Sequence, residues 1–260
     1  MKITNNIFQE YYDKLYTTKD YAAEVEIILR IAYDKLGKAP ESILDVGCGT
    51  GGHSLLFAEK GYKVVGADID QHSIDVARCK STNLKSKNLT LLCGDVNKIE
   101  LYGFDMIVSL FNVVNYIHKI DDLTSFFKGI YSRLTAPGLY VFDCWNGLAA
   151  ILDLPREKET RIMVDKEQIE IRTFPNIDLM EQLVHMDNMV SVTKENGNNV
   201  SFSFQYEHAL WTPFILKNLL SLTGFEEVMI CEWMKPASIA TYKSWKIMFI
   251  CRKKAQHELR

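Results

Sequence analysis

The fold of this chain of 260 residues is decided by residues 43–58, which read ILDVGCGTGGHSLLFA. A short apolar run at 43–46 leads into a cluster of glycines, and a helix-forming stretch follows from His53 to Lys60. Glycines at a strand-to-helix turn let the backbone approach a ligand closely, and the start of the helix presents unpaired N–H groups. This segment therefore predicts a strand, a ligand-binding loop and a helix, in that order.

Strands and helices alternate on both sides of this loop, which is typical of βαβ units and a parallel sheet. The strand segments are almost continuously apolar, as expected of strands that are buried on both faces. We expect seven strands, at 43–46, 63–68, 89–93, 104–110, 139–145, 225–232 and 245–251. The fold class is therefore predicted as α/β, with a doubly wound, mostly parallel, seven-stranded sheet of the Rossmann-like type.

The pattern changes in residues 149–208, where apolar and polar residues alternate in three short runs. Residues 195–199 read ENGNN, which indicates a turn between the last two runs. We therefore expect three antiparallel strands inserted into an α/β domain that spans 41–148 and 209–260. Residues 1–40 are predicted to form a helical lid that precedes this domain.

Composition narrows the classes of partner. The net charge of −3 provides no basic surface for a nucleic acid. No two of the six cysteines are spaced as C-x-x-C, so no metal site is expected. The first ten residues lack the apolar segment of a signal peptide, and no run of about 18 apolar residues occurs. These features predict a cytoplasmic protein that acts without a membrane or a nucleic-acid partner.

Three acidic residues follow successive strands, at the edge where open α/β sheets bind ligands. Asp45 stands two positions before Gly47 in a G-x-G-x-G pattern, where a carboxylate suits a cofactor that carries an ammonium group. Asp68 can accept both hydroxyls of a ribose; Asp70 is the alternative, although it also suits the N-cap of the next helix. Asp95 can accept an adenine amine or close an ordinary turn.

Taken together, these motifs resemble those of the class I S-adenosylmethionine-dependent methyltransferases. Besides residues 43–58, they are VVGADID at 64–70, CGDV at 93–96 and FDMIVSLFNVVNYI at 104–117. The resemblance implies S-adenosyl-L-methionine as the cofactor. Its methionyl end would face Asp45, Gly47, Gly49 and Gly51, its ribose Asp68, its adenine Asp95, and its sulfonium Leu110. Tyr12, Tyr21, Ile69 and Val96 complete the expected cofactor contacts.

A more specific resemblance extends outside the core. TTKDYAAE at 17–24, FNVVNY at 111–116, FDCWNG at 142–147 and the inserted strands resemble the small-molecule N-methyltransferases that act on amino groups of nucleotide-linked sugars. In that group an aromatic N-terminal segment covers the cofactor, and the insertion contributes to the substrate pocket or to a dimer. The resemblance therefore implies a small-molecule acceptor, a tyrosine-containing lid and a homodimer.

Candidate acceptor residues follow the fourth strand. Methyl transfer from a sulfonium requires alignment and exclusion of water more than it requires strong catalytic groups. The candidates for catalysis are Tyr116, Asn115 and Tyr12, and the acceptor is expected to contact Asn112, Asn115, Tyr116 and Trp145. Tyr116 and Trp145 also suit simple packing roles. His118 is an alternative base, whereas His185 and His208 on the inserted strands are expected to be structural or exposed.

Other classes of function differ in their sequence requirements. An NAD-dependent reductase would need G-x-G-x-x-G and a Tyr-x-x-x-Lys pair, whereas Ile120 stands four residues after Tyr116. A non-catalytic binding protein would not need the complete set of glycines and acidic residues. A hydroxyl acceptor would need a base or a metal, and no metal-ligand cluster is visible. The sequence therefore predicts methyl transfer to an amino group, with O-methylation of a small molecule or sugar as the alternative.

Overall fold

The computed structural model describes residues 2–3, 7–84 and 87–253, so parts of the expected lid, at 1 and 4–6, lie outside the described residues. Its helices are α1 (Ile7–Leu15), α2 (Tyr21–Leu36), α3 (Gly52–Glu59), α4 (Gln71–Ser81), α5 (Ile120–Arg133), α6 (Gly147–Leu152) and α7 (Pro213–Thr223). The strands are β1 (Lys2–Ile3), β2 (Ser42–Val46), β3 (Lys63–Asp68), β4 (Leu89–Cys93), β5 (Phe104–Ser109), β6 (Leu134–Trp145), β7 (Lys158–Val164), β8 (Glu167–Asp178), β9 (Leu183–Thr193), β10 (Asn199–Ala209), β11 (Glu227–Glu232), β12 (Lys235–Ile239) and β13 (Lys246–Lys253).

The main sheet has the order β12-β11-β13-β6-β5-β2-β3-β4. The five strands from β6 to β4 are parallel, and β13 runs antiparallel to its neighbours β6 and β11. The predicted α/β class is therefore confirmed, but the sheet has eight strands where seven were expected. The additional strand is β12, a short edge strand that contains Pro236. Because proline cannot donate to a strand ladder, it hides edge strands from a pattern-based prediction.

The strand order reverses direction at β2, which lies between β3 and β5. Strand β3 lies on one side of β2 and β5 lies on the other. The loops that follow β2 and β5 therefore flank a crevice at the carboxyl ends of the strands. Ligands of doubly wound sheets bind at such a reversal point. Topology therefore brings the glycine-rich loop beside the 110–116 stretch that follows β5.

Apolar clusters cover both faces of the main sheet. Helices α2 and α3 pack Val25, Ile28 and Phe57 on one face, against alternate strand residues such as Ile43. On the opposite face, α5 and α7 pack residues such as Phe127 against Leu44 and its neighbours. The alternation of consecutive strand residues between the two faces explains why these strands read as continuous apolar runs.

A second, antiparallel sheet has the order β1-β10-β9-β8-β7. The insertion thus contributes four strands where three were expected, and the two-residue β1 adds to its edge. Strand β7 was missed because it is an edge strand whose side chains are all exposed or half-buried, so it carries no clear apolar alternation.

Candidate functional site

The glycine-rich loop is shaped by two close contacts that exclude side chains. Gly47 has a φ of +76°, and a Cβ placed on it would lie 2.5 Å from Cγ2 of Val113, in the stretch after β5. A Cβ on Gly52 would lie 2.5 Å from Cε1 of Tyr21, the first residue of α2. At Gly49, with a φ of +53°, a Cβ would meet nothing within 4 Å. Val113 therefore packs against the loop at Gly47 and Tyr21 packs against it at Gly52, whereas Gly49 faces open space.

Asp45 and Asp68 lie on either side of this loop. Asp45 is 1% exposed and its Oδ2 accepts a hydrogen bond of 2.6 Å from the Ser54 hydroxyl. Asp68 accepts hydrogen bonds from the backbone N–H groups of Gly49 at 2.8 Å and Asp70 at 2.9 Å, one at each carboxylate oxygen. Burial raises the pKa of both carboxyls. Each oxygen of a carboxylate has two lone pairs, so Asp68 keeps acceptor capacity for two further donors.

Asp70 and Asp95 each accept a hydrogen bond from a backbone N–H group two or three residues later in the chain. Asp70 is the N-cap of α4 and accepts from Ser73, as the sequence indicated. The exposed Asp95 accepts a 2.8 Å hydrogen bond from the N–H of Asn97 and caps a short 3-10 helix, Val96–Lys98. One oxygen of Asp95 is thereby engaged in the turn. Ile69, between Asp68 and Asp70 in the chain, is 80% exposed and presents apolar surface next to Asp68.

Helix α1 lies between the glycine loop and the second sheet. Asp13 accepts a 2.9 Å hydrogen bond from Thr50 in the loop and pairs with Lys80 of α4. On the other side, Phe8 packs on Phe204 of β10, with ring centroids 4.3 Å apart. The predicted N-terminal lid is therefore two helices with a break at residues 16–20, and its first helix is fastened to both halves of the crevice.

Tyrosines from three parts of the chain converge next to this helix. Burial raises the pKa of Tyr12, as do the neighbouring Tyr16, Tyr21, Tyr116 and Asp68. Burial also raises the pKa of Tyr16 and Tyr116, with contributions from Tyr206 of β10 in both cases. Tyr116 is nevertheless 44% exposed, as expected for a ring that faces a cleft enclosed by protein. These hydroxyls stay protonated at ordinary pH and can both donate and accept hydrogen bonds.

The turn after β5 has an unusual backbone that Asp143 holds in place. Phe111 and Asn112 have φ values of +75° and +64°, in the left-handed region that side chains disfavour. Asp143, which is 0% exposed, accepts from the N–H of Phe111 at 2.5 Å and of Asn112 at 3.3 Å. Lys246 lies 3.0 Å from the same carboxylate. The buried Oδ1 of Asn112 has no hydrogen-bond partner among the described residues.

Asn115 is placed differently from its predicted role. It is 0% exposed; its amide donates to Ala209 O at 2.8 Å and accepts from Trp145 N–H at 2.9 Å. Each end of the amide thus makes one hydrogen bond, which joins the stretch after β5 to β6 and β10, and the side chain is closed off from the surface. We therefore leave Asn115 out of the acceptor site. Leu110 is buried in the apolar cluster that contains Met106 and Val108, and Trp145 is half-buried at the end of β6. Their contacts with the cofactor and the acceptor stay predictions.

A buried ionic group beside the loop was missed by the sequence interpretation. Lys19 donates to both carboxylate oxygens of Glu24, and Oε2 of Glu24 lies 2.7 Å from Nε2 of His53 at the start of α3. The Lys19 ammonium also lies over the rings of Tyr21 and Phe111. Lys19, Glu24 and His53 follow no sequence spacing that would predict their contact, although KDYAAE at 19–24 contains Lys19 and Glu24.

The crevice suits the nucleoside and amino-acid parts of S-adenosylmethionine. Asp68 has acceptor capacity for two ribose hydroxyls, exposed Ile69 offers apolar surface for a base, and the orphaned Asn112 oxygen can accept from a ligand donor. Among the described residues, no group of His, Cys, Asp and Glu side chains could hold a metal ion. No helix within 7–84 and 87–253 is long and apolar enough to cross a membrane.

Comparisons with known proteins agree with this geometry. Residues 43–138 match a family model described as a methyltransferase domain. The chain is 27% identical over 137 residues to dTDP-4-amino-2,3,4,6-tetradeoxy-D-glucose N,N-dimethyltransferase of Saccharopolyspora spinosa. The aligned residues cover 52% of this chain and 53% of that relative. It is 29% identical over 137 residues to dTDP-3-amino-3,4,6-trideoxy-alpha-D-glucopyranose N,N-dimethyltransferase of Streptomyces venezuelae, with coverage of 52% and 55%.

A solved structure shares the fold over nearly the whole chain. An S-adenosylmethionine-dependent methyltransferase from Clostridium acetobutylicum superposes with a TM-score of 0.80 at 19% identity, over 96% of this chain and 99% of the other. By sequence, in contrast, the chain spans about half the length of the curated relatives it matches. The fold likeness therefore includes the second sheet, whereas the sequence likeness is concentrated in the glycine-loop half.

Proposed function

We propose that this chain uses S-adenosylmethionine to methylate the amino group of a small polar molecule, a nucleotide-linked amino sugar. The match of residues 43–138 to a methyltransferase domain supports the reaction class. The observation that carries the proposal is the cluster of Tyr12, Tyr16 and Tyr116, in which Tyr12 and Tyr116 also interact with Asp68 beside the glycine loop. The cleft is the space beside this cluster. The two sugar N,N-dimethyltransferases among the relatives support the same acceptor class.

The cleft is better suited to an amine than to a sugar hydroxyl. A hydroxyl has to lose its proton before it becomes a good nucleophile, whereas a neutral amine already has a reactive lone pair. The tyrosines around the cleft have raised pKa values, so their hydroxyls stay protonated. They can form hydrogen bonds to an acceptor, but they do not provide an ionised base. An amine needs only to be oriented, and a tyrosine oxygen that accepts one of its N–H bonds is sufficient.

Each part of the chain has a distinct task in this reaction. S-adenosylmethionine supplies a methyl group that is already activated on a sulfonium. Asp68 and the glycine loop hold the nucleoside, while α1 and its tyrosines cover the crevice and exclude water. Tyr116 and Tyr12 would orient the acceptor nitrogen so that its lone pair faces the methyl group that bound S-adenosylmethionine would supply. The proton that the nitrogen then releases passes to water.

The proposal is tested with purified protein, S-adenosylmethionine and a panel of dTDP-linked 3-amino and 4-amino sugars, each paired with its hydroxy analogue. We expect mass spectrometry to find methylated product from an amino member without added metal. Tyr116→Phe should lower kcat/KM about fivefold, the scale of one net hydrogen bond. Methylation of hydroxy members alone, or turnover that requires a divalent metal, would contradict the amine assignment.

Cofactor binding is tested separately, by calorimetry with S-adenosylhomocysteine. Asp68→Asn should weaken binding by about 1–3 kcal/mol, because the carboxylate accepts charge-assisted hydrogen bonds. Asp75→Asn, on the exposed face of α4 beside Arg78, is the matched control and should bind as the native protein does. Equal affinity in both variants would remove Asp68 from the cofactor site.

The expected homodimer and cytoplasmic location stay predictions. Light scattering at micromolar concentration tests the dimer, and a single-chain mass would contradict it. One face of the second sheet carries ion pairs between Glu159 and Arg161 and between Glu170 and Arg172. This part of the sheet surface is therefore charged and is not an apolar patch.

A further inference from the structure

His208 of β10 is the one histidine in the described part of the chain whose ring is buried with both nitrogens unpartnered. It is 3% exposed, and neither Nδ1 nor Nε2 has a hydrogen-bond partner. Leaving a buried polar group unsatisfied costs about 1–3 kcal/mol, so such groups are uncommon and call for an explanation. The sequence had indicated a structural or exposed role, and a satisfied structural histidine would have had a partner.

Three aromatic rings from three elements enclose this imidazole. The ring centroid of Tyr116, at the end of the stretch after β5, lies 4.7 Å away at an angle of 85°. Trp145, at the end of β6, lies 4.9 Å away at 86°, and Tyr206 of β10 lies 4.9 Å away at 53°. Aromatic faces attract cations, and an amine that has gained a methyl group is a cation until it releases a proton.

The enclosed imidazole adjoins the acceptor cleft. Asn115 bonds to the carbonyl of Ala209, the residue after His208, and thereby fixes the end of β10 against the loop that carries Tyr116. Tyr206 contributes to the raised pKa of both Tyr16 and Tyr116, so the hydroxyls of all three lie near one another. Of the three rings around His208, Tyr116 is the exposed one, so it forms the side from which a ligand can enter.

The chemistry of His208 is that of a neutral hydrogen-bond partner. Burial, with a contribution from His118, lowers its pKa to about 3, so the ring is uncharged near neutral pH. A neutral imidazole has one N–H donor and one lone-pair acceptor. It can accept an N–H bond from an amine, and it adds no positive charge that would repel an ammonium group.

We propose that His208, with the rings of Tyr116, Tyr206 and Trp145, forms the subsite that receives the amino group of the methyl acceptor. The imidazole accepts one N–H of the amine and so directs its lone pair, while the three rings contact the methylated nitrogen. A ligand would reach the imidazole past the ring of Tyr116, which is 44% exposed. This inference rests on the proposed amine acceptor and names the residues that select it.

The subsite is tested with His208→Phe, which keeps an aromatic ring of similar size, and with His208→Gln, which keeps a hydrogen-bond acceptor. His185→Phe, on the neighbouring strand and paired with Glu207 at the surface, is the matched control. With a dTDP-linked amino sugar as acceptor, His208→Phe should lower kcat/KM at least tenfold, mainly through KM, and His208→Gln should recover part of the loss. Affinity for S-adenosylhomocysteine and the control's kinetics should stay within twofold of native values.

Thermal unfolding separates this role from a structural one. Replacing an unsatisfied buried imidazole by phenyl is neutral or stabilising, so His208→Phe should keep or raise the Tm while acceptor turnover falls. A Tm that falls together with cofactor affinity would assign His208 to packing and overturn the proposal. An unchanged kcat/KM in His208→Phe would overturn it as well.

NMR makes the result independent of turnover. In protein labelled with ¹³C at the histidine Cε1 positions and saturated with S-adenosylhomocysteine, the dTDP-linked amino sugar should shift the signal that disappears in His208→Phe and leave the His185 signal in place. A shift without methyl transfer would retain the subsite and reject the proposed function. Methyl transfer without a shift would retain the function and reject the subsite, and the absence of both would reject both.

Discussion

At the scale of single residues, the buried ionic group beside the glycine loop depends on each of its members. Glu24 lies between Lys19 and His53, and the side chains of all three are no more than 10% exposed. Burial alone would raise the pKa of Glu24, but hydrogen bonds from His53 and Lys19 outweigh that effect and hold it below its usual 4.5. A carboxyl with a lowered pKa contributes stability above its unfolded-state pKa and loses it as the pH falls through the folded-state pKa.

We therefore expect Glu24→Gln to be destabilising near pH 7, by about 3 kcal/mol, since it leaves the Lys19 charge buried without its counter-ion. The difference from the native protein should shrink as the pH falls below the unfolded-state pKa of about 4.5, and it should vanish once the pH has passed the lowered pKa of Glu24 in the folded protein. Urea unfolding at several pH values measures both effects. Glu26→Gln, on the exposed side of α2 beside Lys60, is the control and should cost less than about 1 kcal/mol. A difference that stays constant down to pH 3 would contradict the assignment.

At the scale of elements, the glycine loop and the stretch after β5 fit together through one contact. Gly47 allows Val113 to pack directly on the loop, and Asp143 fixes the left-handed Phe111–Asn112 turn on the other side. The glycine loop and the stretch after β5 are therefore a single packed unit, although Gly47 and Val113 are 66 positions apart in the chain. Their packing explains how a change on one side of the crevice reaches the other.

Gly47→Ala should disturb this unit in a way that a control can isolate. Both Gly47 and Gly61 have positive φ values, of +76° and +93°, so an alanine at either position costs about 1–2 kcal/mol of backbone strain. Only at Gly47 would the new Cβ meet Val113; at Gly61 it would meet nothing within 4 Å. Gly47→Ala should therefore weaken S-adenosylhomocysteine binding more than tenfold in calorimetry, and Gly61→Ala should not. Equal affinities would show that the contact is unimportant for the site.

At the scale of the whole molecule, Asn115 joins the two sheets. Its amide bonds to β6 through Trp145 and to β10 through Ala209, and it is fully buried. Removing it would leave a carbonyl and an N–H unsatisfied in the interior, which is more costly than losing the hydrogen bonds themselves. The loop that carries Tyr116 would also lose its link to the sheet that carries His208.

Asn115→Ala should therefore lower the free energy of unfolding by about 3 kcal/mol and make the inserted strands more sensitive to limited proteolysis. Asn218→Ala, at an exposed position of α7 where the amide bonds to Phe214 O, should change stability by less than about 0.5 kcal/mol. Urea unfolding and the order of proteolytic cleavage provide the two measurements. A proteolysis pattern identical to that of the native protein would mean that the sheets are held together elsewhere.

Much of this architecture follows from local patterns in the chain. The strand at 43–46, the glycines after it and the carboxylates at 45 and 68 are determined by short-range chemistry: apolar runs, positive φ angles and the ends of parallel strands. The bounds of helix α7 can likewise be predicted from the sequence, because Thr212 caps its start and Gly224 ends it. The α/β class and the cofactor side of the crevice were therefore predictable from the sequence.

Tertiary structure alone decided which side chains have capacity left for a ligand. Asn115 in the stretch after β5 and His208 near the end of β10 are both polar and buried, yet the fold bonds the amide of Asn115 at both ends and encloses the imidazole of His208 without a partner. Likewise, Glu24 meets His53 across 29 residues, and the edge strands β7 and β12 pair through backbone groups rather than through an apolar pattern. Hydrogen-bond partners and burial depend on contacts between distant segments, and no local pattern encodes them.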